Sequence, residues 1–85
     1  MPYRVRISRH VQQDLDDLPR AVYNRVAEAI QGLSTVPRPM GVKKLKGFAD
    51  TYRVRVGDYR IVYEVDDTAQ EVRLKIIADR KDAYR

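Results

Sequence analysis

The tightest constraint on this chain is an alternation that runs through residues 52–56, reverses at Gly57-Asp58 and resumes through residues 59–65. Tyr52, Val54 and Val56 alternate with Arg53 and Arg55, and Tyr59, Ile61, Tyr63 and Val65 continue the apolar series beyond the reversal. A period of two marks a strand with one buried face. A two-residue connection with glycine first is a hairpin turn, and its geometry fixes the register. Counting outward predicts the pairs Val56–Tyr59, Arg55–Arg60, Val54–Ile61, Arg53–Val62 and Tyr52–Tyr63. Paired residues share a face. The tyrosines and aliphatic residues therefore point toward a core, and Arg53, Arg55 and Arg60 point away from it.

That arrangement has an electrostatic cost. Arg55 directly opposite Arg60 is destabilising by up to about 1 kcal/mol. An anion across the face would relieve the repulsion. Three guanidiniums on adjacent strands suit consecutive phosphates, or one phosphate passing through a doubly charged state. Solvated sheet faces also alternate arginine with apolar residues, and Glu64 offers partial compensation, so the pattern alone leaves both readings open.

The rest of the chain supplies what the hairpin packs against. Residues 3–7 alternate apolar and basic side chains as a strand does, and Ser8 can cap a following helix. Val11, Leu15 and Leu18 fall on one helical stripe; Pro19 suits a first helical turn; Val22, Val26, Ala29, Ile30 and Leu33 repeat the helical spacing to about Leu33. Gly32, Pro37 and Pro39 supply the stop. Residues 38–51 show no period and read as a basic loop, while Val72, Leu74, Ile76 and Ala78 mark a last strand. The expected fold is one α+β domain over residues 1–85: strand, helical hairpin, then three sequential antiparallel strands.

Composition narrows the chemistry. The 85 residues carry no cysteine and one histidine, which leaves neither a disulfide nor a metal centre to expect, and fits a reducing cytoplasm. Residues 1–10 are too polar for a signal peptide, and no apolar run is long enough for a bilayer. His10 stands apart from the arginine set and reads as a surface residue. The net charge of +5 is concentrated in residues 38–60, which hold seven basic side chains against Asp50 and Asp58. Such a surplus suits a polyanion, or a solvated basic surface, equally well. Lys43, Lys44 and Lys46 divide in the same way between a grip on a nucleic-acid backbone and an ordinary loop.

The run Leu45-Lys46-Gly47, the hairpin from Tyr52 to Asp67, and the ending Ala78-Asp79-Arg80-Lys81-Asp82-Ala83-Tyr84-Arg85 together resemble the RelE/ParE toxin superfamily, and most closely its RelE branch. The Leu15-Leu18-Pro19 helical hairpin fits as well. The resemblance implies a toxin of a type II toxin–antitoxin system that cuts messenger RNA in the ribosomal decoding site. It also implies a cognate antitoxin (RelB-like or similar), and operator DNA bound only through the complex. By motif, Arg60 corresponds to the arginine that contacts the scissile phosphate. Arg80 corresponds to the one implicated in transition-state stabilisation or leaving-group protonation, and Tyr84 to a general base or substrate-orienting tyrosine. Arg53 and Arg55 fall where members carry basic residues that bind substrate.

The chemistry so implied needs no metal or other cofactor, because the RNA 2′-hydroxyl is itself the nucleophile. Its attack gives a 2′,3′-cyclic phosphate and a 5′-hydroxyl through a dianionic state that clustered arginines stabilise. Two departures stand out. Asp79 occupies the place where many members have histidine, and Arg55 cannot exchange a proton as a lysine could. Alternation counted from Val72 would also put Arg80 with the buried-face residues unless the strand ends or bends near Ala78. The competing readings are a ParE-like DNA gyrase poison that shares the fold, and a catalytically weak member acting through antitoxin binding and operon repression.

Overall fold

In the computed structural model, which describes residues 2–79, Ser8 ends the first strand and starts the first helix. Its backbone is extended and its Oγ accepts from the Val11 N–H at 3.3 Å, satisfying one otherwise orphaned donor of the first turn. The elements that follow are β1 (Arg4–Ile7), α1 (Arg9–Asp16), α2 (Arg20–Thr35), β2 (Lys43–Lys44), β3 (Thr51–Val56), β4 (Tyr59–Asp66) and β5 (Glu71–Asp79). They build a five-stranded sheet in the order β1-β5-β4-β3-β2, with β1 parallel to β5 and the remaining pairs antiparallel. The α+β fold read from the sequence is the fold observed, with β2 as an added edge strand inside the stretch that showed no period.

The predicted hairpin register holds at every pair, from Val56–Tyr59 to Tyr52–Tyr63. Gly57 sits at φ +59°, the left-handed conformation that a glycine-first turn requires of its first residue. Both helices cover one face of the sheet. Val11 and Leu15 of α1, with Val26, Ile30 and Leu33 of α2, enclose Tyr52, Ile61, Tyr63, Val65, Val72, Leu74 and Ile77.

Three helix boundaries differ from expectation: α1 ends at Asp16, before Leu18; Pro19 stands one position before α2 as its cap; and α2 runs past Leu33 to Thr35. The two extra residues stay helical because Ser34 is bound on both sides. Its carbonyl accepts from the Tyr3 N–H at 2.7 Å, and its hydroxyl donates to the Tyr3 carbonyl at 2.8 Å. A long-range partner thus satisfies groups that a free helix end would leave to water.

The larger correction lies in β5. Tyr63 pairs with Leu74 but Val62 pairs with Ile76, so Lys75 is an extra residue, a β-bulge. Beyond it the alternation is inverted. Ile77, opposite Ile61, is buried in the core, whereas Ile76 is 45% exposed and Ala78 lies opposite Arg60. Ile76 and Ala78 therefore do not continue the buried stripe of Val72 and Leu74. A single inserted residue swaps every later side chain to the other face.

Polar contacts tie the turn after β4 to the segment after α2. Arg38 donates to both carboxylate oxygens of Asp67, at 3.2 and 2.9 Å, and through Nε to the Tyr52 hydroxyl at 2.9 Å. Tyr3 donates to the same carboxylate at 2.6 Å. Arg38 therefore serves this clamp, and the basic surplus of residues 38–60 loses one charge as a free surface feature.

The Arg38 guanidinium, then the Tyr3 hydroxyl, hold the Asp67 carboxyl below its usual range. The Ala69 N–H, then Arg73, do the same for Asp66. A folded-state value below the unfolded one means stability that is present above the ordinary carboxyl pKa of about 3.9 and lost as pH falls through the folded value. Asp67→Asn is expected to lower the urea midpoint at about pH 7, with the gap to wild type closing toward about pH 2. A gap that persists unchanged in acid would rule out the ion pair as its source.

Candidate functional site

The face turned away from the helices carries the candidate site, and the register arranges it in rows across the strands. Arg55 of β3, Arg60 of β4 and Ala78 of β5 form one row. Lys43, Arg53, Val62 and Ile76 form the next, and Thr51, Glu64 and Arg73 the third. Arg53, Arg55 and Arg60 thus share a face as the hairpin count required, with Arg55 and Arg60 directly opposed. Arg55 is exposed, Arg53 half-buried, and Arg60 only 8% exposed. A cation held at low exposure interacts with a nearby anion through less water, which strengthens the attraction.

The three lysines part company. Lys43 pairs with Arg53 and joins its row, whereas Lys44 pairs with Tyr52 and belongs to the opposite side of the edge strand. Lys46 lines a groove over the arginine face. The sequence could not separate them, because a two-residue edge strand has no period to read. Arg80 and Tyr84 lie outside the described residues.

The groove has a volume of about 590 Å³ and runs between the loop preceding β3 and the strands β4 and β5. Arg53 and Arg60 contribute its basic wall; Leu45, Phe48, Val62 and Ile76 make it apolar; Glu64 and Lys75 close it with an ion pair of 3.4 Å. That pair settles the role left open for Glu64: its carboxylate is matched by the lysine of the bulge. No pattern in the sequence marks Phe48, and Ile76 reads there as part of the last strand's apolar stripe and not as a site residue. Phe48 is the only phenylalanine in the chain and stands between Gly47 and Asp50, a signal visible in retrospect. Ile76 left none, since only the bulge brings it here.

Elsewhere the tyrosines of the hairpin behave as core residues: Tyr52 and Tyr63 are buried, and Tyr59 is half-buried. His10 is an exposed helix residue 3.6 Å from Asp14. Among the described residues, no group of three or more His, Cys, Asp or Glu side chains is placed to hold a metal ion. No described helix is long and apolar enough to cross a membrane.

The family described as the ParE toxin of the type II toxin–antitoxin system parDE matches residues 5–84. Toxin RelG of Mycobacterium tuberculosis is 35% identical over 86 residues, spanning 100% of this chain and 99% of that protein. A Methanocaldococcus jannaschii protein that carries the RelE1 name is 35% identical over 88 residues, covering 100% of this chain and 98% of its own. Among solved structures, an archaeal RelE–RelB complex from Pyrococcus horikoshii superposes with a TM-score of 0.84 at 36% identity, over 98% of this chain and 100% of that one.

Proposed function

Because this chain belongs to the RelE/ParE toxin family and is a type II toxin of RelE type, we propose that it is an endoribonuclease that cuts messenger RNA on the ribosome. The observation that carries this reading is the opposed Arg55–Arg60 pair beside Arg53, on the sheet face turned away from the helices. Such a cluster favours a dianionic, phosphorane-like state over a singly charged phosphodiester, which is the differential binding that catalysis needs. In this mechanism the RNA 2′-hydroxyl attacks the adjacent phosphorus, the 5′-oxygen leaves, and a 2′,3′-cyclic phosphate remains.

Arg60 binds the scissile phosphate, while Arg53, Arg55, Lys43 and Lys46 hold the flanking backbone. Lys44 is a weaker candidate for that grip, given its place opposite Tyr52. Arg80 and Tyr84 complete the set, one stabilising the transition state or the leaving group and the other serving as base or orienting the substrate. The RelE–RelB complexes among the structural relatives support a cognate antitoxin as protein partner. The same reading puts the toxin in the cytoplasm and has operator DNA engaged only through the antitoxin complex.

The ParE description of the matched family favours one second reading, a gyrase poison. Addition of the purified protein to a translation reaction, with primer extension on a defined message, separates the two. Cuts mapped within the decoding site, with 2′,3′-cyclic phosphate ends, are expected. Toxicity accompanied by DNA breaks and intact message would replace the nuclease reading with the gyrase one.

A further inference from the structure

We propose that the groove beside the arginine face is a nucleobase subsite in which Phe48 stacks on one base of a single-stranded RNA whose phosphates lie along Arg53 and Arg60; this rests on the nuclease reading above. Three independent features point there. The first is the exposure of Phe48. An aromatic ring at 63% exposure forgoes burial that the core could have given it, and it does so on the basic face.

The second is the way the ring is mounted. Gly47 at φ +83° and Asp50 at φ +51° bracket it in left-handed conformations, which glycine adopts freely and aspartate tolerates. The ends of the turn are bound to the sheet. The Leu45 N–H donates to the Thr51 carbonyl and the Val65 N–H to the Asp50 carbonyl, both at 2.9 Å, while the Thr51 hydroxyl donates to the Ala49 carbonyl at 3.0 Å. A bound turn presents the ring with part of its conformational entropy already spent, so that less is lost on stacking.

The third is the bulge. Without Lys75 as an inserted residue, Ile76 would face the helices; with it, Ile76 faces the groove at 45% exposure and gives a flat ligand an apolar wall. The groove is therefore apolar where a base would lie and cationic where its phosphates would lie. That combination of stacking platform and electrostatic track distinguishes single-stranded nucleic acid from an apolar peptide or a simple anion. The Glu64–Lys75 pair at its edge offers both an acceptor and a donor to the rim of a base.

The test uses the full chain and a fluorescent RNA octamer, 2′-O-methylated throughout so that it cannot be cut, with abasic replacements at each position in turn. Wild type is expected to lose roughly 5- to 150-fold in affinity at one position when its base is removed. Phe48→Ala should bind the intact octamer weaker by a similar factor and be indifferent to that abasic site. Its salt slope should match wild type, because no phosphate contact is lost. Phe48→Tyr should restore binding, and thermal melting of Phe48→Ala should match wild type.

If Phe48→Ala binds as wild type while Arg53→Ala and Arg60→Ala bind weakly with shallower salt slopes, the base subsite is wrong and the nuclease reading stands. If wild type does not bind the octamer, the base subsite is overturned, while the nuclease reading is decided by cleavage in the translation reaction. If Phe48→Ala loses only antitoxin binding, the groove serves a protein partner and the proposal is overturned.

Discussion

Tyr63→Ala is expected to lower the unfolding free energy by about 3–5 kcal/mol, the range for truncating a buried aromatic residue. Tyr63 is 0% exposed at the centre of the sheet, its ring stacked on Tyr52 with centroids 6.0 Å apart and planes at 30°. Its hydroxyl donates to the Pro37 carbonyl at 2.8 Å, tying the segment after α2 to the core. Truncation removes the packing, the ring pair and that hydrogen bond together. A domain of this size has on the order of 4–13 kcal/mol in total, so the variant should be marginal at room temperature. Urea unfolding followed by circular dichroism reads the loss; a shift under about 1 kcal/mol would show that the site collapses around the gap.

Tyr63→Phe separates the contributions. It keeps the ring and should cost about 1–2 kcal/mol for the carbonyl left without its donor. Burial first, with Tyr52 adding to it against the opposing effect of Arg38, pushes the Tyr63 hydroxyl up to about 12. Since the unfolded chain ionises near 10, this group's contribution is fully present below that value and lost as pH rises toward the folded one. The wild-type advantage over Tyr63→Phe should therefore shrink in alkali.

The hairpin was legible because two local rules agreed on it. The apolar period fixed which face is buried, and Gly57-Asp58 fixed the register to the residue. The helices were legible for the same reason, since Ser8 and the stripe from Val11 to Leu33 point to one answer. What escaped depended on distant partners. The last turn of α2 is held by Tyr3, more than thirty residues away. The edge strand β2 exists only through its pairing with β3. The bulge at Lys75 leaves an unbroken apolar run, Ile76-Ile77-Ala78, in which either register looks acceptable. That last case decides the candidate site, because it sends Ile76 to the groove and brings Ala78 opposite Arg60.

Arg60→Ala is expected to reduce messenger RNA cleavage by about 10²- to 10³-fold, the usual loss when one charge-stabilising donor is removed from a reacting oxyanion. Arg60 is the least exposed of the three arginines, sits directly opposite Arg55, and borders the groove, so its charge acts through little water. Arg60→Lys keeps the charge but loses the planar fork, and should recover only part of the rate. Exposed Arg55 should show the opposite coupling between stability and activity. Arg55→Gln removes a like-charge pair, so the protein should become more stable by up to about 1 kcal/mol while cleavage falls. Single-turnover cleavage on programmed ribosomes, paired with urea unfolding of each variant, gives both quantities. A stable Arg60→Ala protein that cleaves at the wild-type rate would remove the arginine pair from the chemistry. A gain in stability with a loss of rate for Arg55→Gln would identify the repulsion built into the hairpin as a cost retained for binding an anion.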